Sequence, residues 1–410
     1  MAAKHDAYAA LRHSDFRWLI LAHAALTFAR EAQIVVVGWQ VYVITKDPLS
    51  LGLIGLAEAL PLLGFALFAG HLADKFPRQP IIVIGTIGMV ISSVVLLLFT
   101  IYPSMLAGGV WPIYAVVFAG GLARATFRPA VVALSAEVIP REVQPNAVAW
   151  RTSSWHLAAV CGPAAGGLIY GFAGPAAAYS AVIVLMTSSL FASSAIQHRV
   201  APQLVEDVPL AESLKVGIRF VLRDPVLLAA MTLDLFSVLF GGAVALLPVF
   251  ANMLRVGPQG LGLLRAAPAV GSIVTSTWIA HRPPMKRAGT ALLIAVALFG
   301  TAIIAFALSR NVFLSFALLL LSGSADAVSV IVRGTLLQSR TPDALLGRVS
   351  SVNQVFISAS NEIGAFESGV AARLMGTVPS VLFGGCMTLL VVAITAWKCP
   401  QLRRLKEIEN

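Results

Sequence analysis

A chain of 410 residues with 58% hydrophobic and only 12% charged side chains does not compose a soluble domain, where charged residues alone make up about a quarter of the chain. A net charge of +10 does not indicate nucleic acid either, because the basic residues are spread over connections and termini rather than collected on one surface. Roughly nineteen of the 29 Lys and Arg fall in one alternate set of connections and at the termini, the positive-inside pattern of a membrane protein with both termini cytoplasmic.

The first sixteen residues carry Lys4 and Arg12 against Asp6 and Asp15 and hold no span of their own. The apolar run after them exceeds a signal-peptide core and lacks a small-residue cleavage site, so it is expected to stay as the first span. Spanning helices need about twenty mostly apolar residues, and twelve such segments follow one another. Their limits are 17–44, 50–73, 80–101, 111–136, 146–170, 175–196, 226–251, 258–280, 288–308, 312–338, 348–373 and 377–397. The expected fold is all-α and integral to the membrane, with twelve transmembrane helices in two pseudo-symmetric six-helix bundles, 1–196 and 226–410. Between them, residues 197–225 form a polar cytoplasmic linker. Its second part reads as an amphipathic helix, with Ala211, Leu214, Ile218 and Val221 on one face and Lys215, Arg219 and Arg223 as a basic stripe beside them.

The halves repeat. Laying Pro140 on Pro342 lays Gly162 on Gly364 and Gly167 on Gly369. Duplicated halves in a membrane protein place a cargo site at their junction.

After the second span comes Gly70-His71-Leu72-Ala73-Asp74-Lys75-Phe76-Pro77-Arg78, a charged turn with one acid among bases. It resembles the cytoplasmic signature of the major facilitator superfamily, with Pro77 in place of a usual glycine. That resemblance implies a state-dependent contact of Asp74 with the start of the eleventh span near Arg348, an anion meeting a helix N-terminus. Arg124 and Arg128 lie four residues apart on one face of the fourth span, and the cost of a mid-bilayer charge turns them toward protein or water. They resemble in part the superfamily's fourth-helix arginine motif. Gly162-Pro163 with Gly166-Gly167 on the fifth span resembles the pattern associated with exporters, and close helix packing explains its glycines equally well. Phe127-Arg128-Pro129-Ala130, Gly217 to Pro225 and Thr341 to Val349 are similar to the enterobactin exporter and transmembrane secretion effector subfamily, which also takes in macrolide efflux carriers.

Acids inside the spans are the candidates for proton coupling: Glu31 first, then Asp326 or Glu362, with Arg124 as the competing partner. Adjacent helix positions point about a hundred degrees apart, so Arg30 and Glu31 are expected to face different partners. Arg30, Arg124, Trp150, His156, Asn353, Gln354 and Asn361 are the candidates for lining a cargo cavity. Gly70, Asp74, Arg78, Arg128, Gly162, Pro163, Gly167 and Arg348 are candidates for a conformational gate. HExxH, GxSxG, a phosphate loop with lysine and metal-ligand spacing are all missing, which argues against an enzyme and implies no cofactor. The resemblance implies a monomeric carrier of the bacterial inner membrane whose partners are lipid, protons and a small molecule. A siderophore leads, a macrolide or other drug follows, and uptake comes third; an outer-membrane or periplasmic protein would carry the cargo onward.

Overall fold

In a computed structural model, residues 6–197, 210–283, 285 and 287–405 are described, apart from the side chains of 63, 66–74, 128, 210–214 and 344. The chain forms α1 (Ser14–Thr45), α2 (Pro48–Lys75), α3 (Arg78–Ile101), α4 (Trp111–Glu137), α5 (Gln144–Ser194), α6 (Leu210–Arg223) and α7 (Pro225–Phe240). There follow α8 (Leu247–Met253), α9 (Gly257–Ala280), α10 (Ala288–Leu308), α11 (Val312–Arg340), α12 (Asp343–Met375), α13 (Thr377–Lys398) and the short α14 (Pro400–Arg403). Among the described residues, 9 helices are long and apolar enough to cross a membrane. The fold is all-helical.

Two expected spans lie in the single helix α5, which is broken at Gly174 by φ 85° and ψ 172°. That positive φ strains any residue with a Cβ, and Pro175 supplies a fixed φ for the next helical turn. The seventh expected span departs from a straight helix. It stops at Phe240, passes through Gly241, Gly242 and a 3₁₀ turn at Ala243–Leu246, and resumes as α8. The break sits where neighbours press on the backbone: Gly384 packs on the Phe240 carbonyl, and a Cβ at Gly242 would lie 3.4 Å from the Gly364 carbonyl oxygen.

The helices sort into two compact units, residues 1–40 with 57–206 and residues 41–56 with 207–410. In the first, Leu19, Leu26, Ala29, Ile82, Phe127 and Val131 belong to one buried apolar cluster. Part of its polar interior is paired: the Tyr179 hydroxyl donates to Gln40 Oε1 at 2.7 Å, and Gln40 Nε2 donates to Thr100 Oγ1 at 2.9 Å. In the second unit, Leu227, Leu233, Leu292, Val332 and Leu336 belong to the main core. Asp224 caps α7, accepting from the N–H groups of Val226 at 2.8 Å and Leu227 at 3.0 Å, and Arg340 Nε donates to its other oxygen at 2.8 Å. Partial burial pushes the Asp224 carboxyl up, but Arg340 and the two N–H groups more than offset this and hold it below its ordinary range.

The amphipathic face of α6 is not where the periodicity put it. Val221 is buried against α12, and Gly217 leaves room there, since its Cβ would lie 2.8 Å from the Arg348 carbonyl oxygen. Ile218 points outward with Leu222. Packing against a neighbouring helix selects one strip of a helix whose apolar residues run wider than that strip. Residues 198–209 of the expected linker fall outside the described residues.

Candidate functional site

The first unit gathers four charged side chains from three helices. Arg30 Nη1 lies 3.3 Å from Glu31 Oε1, and its Nη2 lies 3.5 Å from Glu58 Oε2. Arg124 Nη1 donates to the same Glu58 oxygen at 3.4 Å. Glycines permit this approach. On α5, a Cβ at Gly162 would fall 2.8 Å from the Glu31 Cβ and 2.9 Å from the Phe28 carbonyl oxygen, while on α4 a Cβ at Gly121 would fall 2.7 Å from Pro61 Cγ on α2. Contrary to expectation, Arg30 and Glu31 do not diverge, because the long arginine side chain reaches back to its neighbour. Glu58, an acid of the second span to which the sequence assigns no role, is the hub that both arginines share. Two guanidinium groups face two carboxylates, so the charge of this group balances.

The second unit holds a smaller group between α7 and α11. Arg333 forms an ion pair with Asp234, and the two side chains are only 7% and 8% exposed. Asp326, Ser329 and Arg333 stand at i, i+3 and i+7 on α11, hence along one face. Asp234, Ser237, Asp326 and Ser329 line a cleft about the size of one water molecule, with Val296 and Phe299 as apolar wall. The Ser237 hydroxyl is committed to the Leu233 carbonyl at 2.6 Å. Ser329 is 3% exposed and its Oγ makes no hydrogen bond. Here one arginine stands against two carboxylates.

The other expected site residues are spread more widely. Trp150 sits at the start of α5, where its indole N–H donates to the Ala7 carbonyl at 3.0 Å and its ring tilts on Tyr8. His156 is half-buried, edge-on to Trp155 with ring centroids 5.1 Å apart, and its Nδ1 is buried without a partner. On α12, Gln354 Nε2 donates to Ser358 Oγ at 3.3 Å and Asn361 Nδ2 to the Ile357 carbonyl at 2.8 Å, while Asn353 and Glu362 are half-buried. Arg78 forms an ion pair with Glu137 at the end of α4, a partner that sequence reasoning missed. Pro163 and Gly167 are buried in α5. Arg348 packs its carbonyl on Gly217. Gly70 and Asp74 lie near the end of α2 and Arg128 in α4, but these side chains fall outside the described residues.

Arg333 was also missed, and Asp234, one of the acids within the spans, was given no role, although a signal for the group was present. The offset that lays Pro140 on Pro342 lays Arg124 on Asp326, and Asp326 and Arg333 share a face of their helix.

Residues 5–410 match the model of a family described as transmembrane secretion effector. The chain is 26% identical over 405 residues to the enterobactin exporter of Shigella flexneri, covering 96% of this chain and 94% of that one, and matches the enterobactin exporter of Escherichia coli to the same extent. Among solved structures it is similar to the POT family transporter PepTSo, with a TM-score of 0.76 at 12% identity over 95% of this chain and 98% of the other. A bacterial homologue of the human lysosomal transporter Spinster, in an inward-facing and unoccupied conformation, gives a TM-score of 0.68 at 13% identity over 95% and 97%. These likenesses concern the fold. With a family match along nearly its whole length and a helical fold held in common with such carriers, the chain belongs to the transmembrane secretion effector family of major facilitator transporters, as a multi-pass membrane protein.

Proposed function

We propose that this transporter exports a small organic molecule, a siderophore of the enterobactin type, out of the cytoplasm in exchange for protons. Similarity along 96% of the chain to enterobactin exporters carries this reading. The geometry supports it in two respects. Arg30 and Arg124 present guanidinium groups that recognise the oxygens of an acidic, oxygen-rich cargo, and Glu58 holds both in place when no cargo is bound. Acids kept within the helices supply exchangeable protons, and one proton moving through 100 mV contributes about 2.3 kcal/mol toward raising cargo against its gradient. The carrier works as a monomer in the bacterial inner membrane with both termini cytoplasmic, its bundles being 1–196 and 226–410. It releases cargo to the periplasm, where an outer-membrane or periplasmic partner takes it on.

Culture supernatants of a wild-type and a deletion strain, compared under iron limitation, test the cargo. The deletion strain is expected to hold the siderophore inside the cell and to release several-fold less. Equal siderophore in both supernatants, with macrolide or dye retained by the deletion strain, would replace siderophore export by drug efflux.

A further inference from the structure

We infer that the proton is carried in the second unit, on Asp326, by the group Asp326, Ser329, Asp234 and Arg333. This rests on the proton-coupled reading above and assigns its residue.

Charge balance comes first. In the first unit each carboxylate of the four-residue group has a guanidinium to face, so neither Glu31 nor Glu58 needs a proton to be neutralised. In the second unit Arg333 is spent on Asp234, in an ion pair almost closed to solvent. Asp326 lies within electrostatic range of both, on the same cleft as Asp234, and a second carboxylate is left over. A buried charge without a counter-charge is neutralised rather than tolerated. Other elements packed against α11 offer little compensation. α10 carries no charged residue between Ala288 and Leu308, and α9 carries Arg265 alone. α12 brings Glu362 and Glu367 in mid-helix, with Asp343, Arg348 and Arg373 toward its ends.

The second observation is Ser329. Its hydroxyl is buried, lines the cleft and lacks a hydrogen-bond partner, although it stands one turn from Asp326 on the same face. A buried hydroxyl without a partner is uncommon, and the O–H of a protonated Asp326 can donate to the Ser329 oxygen, a bond the carboxylate cannot make. In the step proposed, hydronium on one side breaks an O–H bond and gives its proton to the Asp326 carboxylate, forming the acid O–H and leaving water. The neutral acid pairs with Ser329 Oγ. On the other side that bond breaks, the proton returns to water, and Asp326 again competes with Asp234 for Arg333. The two carboxylates thus behave as one titrating unit.

Infrared difference spectroscopy on the full-length protein in liposomes tests this without any cargo, by following the carbonyl stretch of a protonated carboxylic acid during a pH titration. Wild type is expected to show a buried-acid band, and Asp326→Asn to lose it. Asp234→Asn is expected to lose it as well, since Arg333 then has Asp326 as its sole acid in the group. Ser329→Ala is expected to keep the band and shift its frequency and midpoint, and Glu31→Gln to leave it unchanged. Monodisperse elution and an unaltered helical signal identify folded variants. A band that survives in folded Asp326→Asn, or disappears in Glu31→Gln, overturns the assignment. So does a band displaced by sodium but not by potassium, which would make the site a sodium site. Export of siderophore by wild type is measured separately, so failure of the cargo reading and failure of this assignment are distinguishable.

Discussion

The two charged groups occupy corresponding places in a duplicated chain, and they differ in charge balance. The offset that aligns the glycines puts an arginine, Arg124, in one half where the other has an acid, Asp326. The glycines have kept their job. Gly162 presses α5 on the Phe28 carbonyl of α1 at 2.9 Å, and Gly364 presses α12 on the Leu239 carbonyl of α7 at 2.8 Å, both measured to an added Cβ. Duplication has therefore preserved the backbone contacts that hold two helices together, while the charges placed beside them have diverged. One half holds a balanced set of two arginines and two acids; the other holds an excess acid.

The largest effects should come from disturbing that imbalance. Arg333→Ala leaves Asp234 and Asp326 facing each other inside the protein, and loss of a buried partner costs about 3–5 kcal/mol, so the variant should melt far below wild type or fail to accumulate. Arg30→Ala takes an arginine from a more open group in which Glu58 keeps Arg124 while Glu31 loses its partner, and with these side chains between 15% and 32% exposed the loss should stay below that of Arg333→Ala. Equal melting temperatures for the two variants would show that the groups do not differ in this way.

Next comes the shared architecture. Gly162→Leu and Gly364→Leu each force a side chain into a helix contact with no room for it, and overpacking costs about 1–3 kcal/mol. Thermal unfolding of the purified variants should show losses of similar size in the two. A large loss in one and none in the other would break the equivalence of the halves.

A smaller effect is expected at Asp224. Its folded carboxyl lies below the ordinary value of 3.8, so its contribution is complete above that value and is lost as pH falls through the lower, folded one. Asp224→Asn keeps the cap but lacks this loss, and its stability should fall less steeply than wild type as pH drops below 3.8. Parallel acid-unfolding curves would show that Arg340 contributes nothing there. The smallest effect belongs to Arg373, which pairs with Asp47 while its side chain is 58% exposed. Arg373→Ala should change stability by less than ~1 kcal/mol, and a larger change in the same melts would mark that pair as structural.

Much of the fold was legible. The expected segments fall largely on described helix, interrupted at the seventh by Gly241 and Gly242, and 9 helices among the described residues are long and apolar enough to cross a membrane against the twelve spans expected. The seventh break and the turned face of α6 were not legible, since both follow from which neighbour packs on the backbone. Arg30, Glu31 and Arg124 were readable as costly charges. Glu58 as their hub was not, because a contact between α2 and α4 depends on Gly121 meeting Pro61, and no local spacing announces it. Asp234 and Arg333 were hidden for a related reason: each is one charge in a long apolar helix, and only their meeting gives either a role.

The central claim, that cargo export is coupled to a proton on the excess acid of the second unit, is tested most directly by siderophore uptake into everted membrane vesicles energised with a pH gradient. Wild type and Glu31→Gln should accumulate the siderophore until the gradient is dissipated, whereas Asp326→Asn should stop at equilibration with or without it. Gradient-driven accumulation by Asp326→Asn at the wild-type level would contradict the claim.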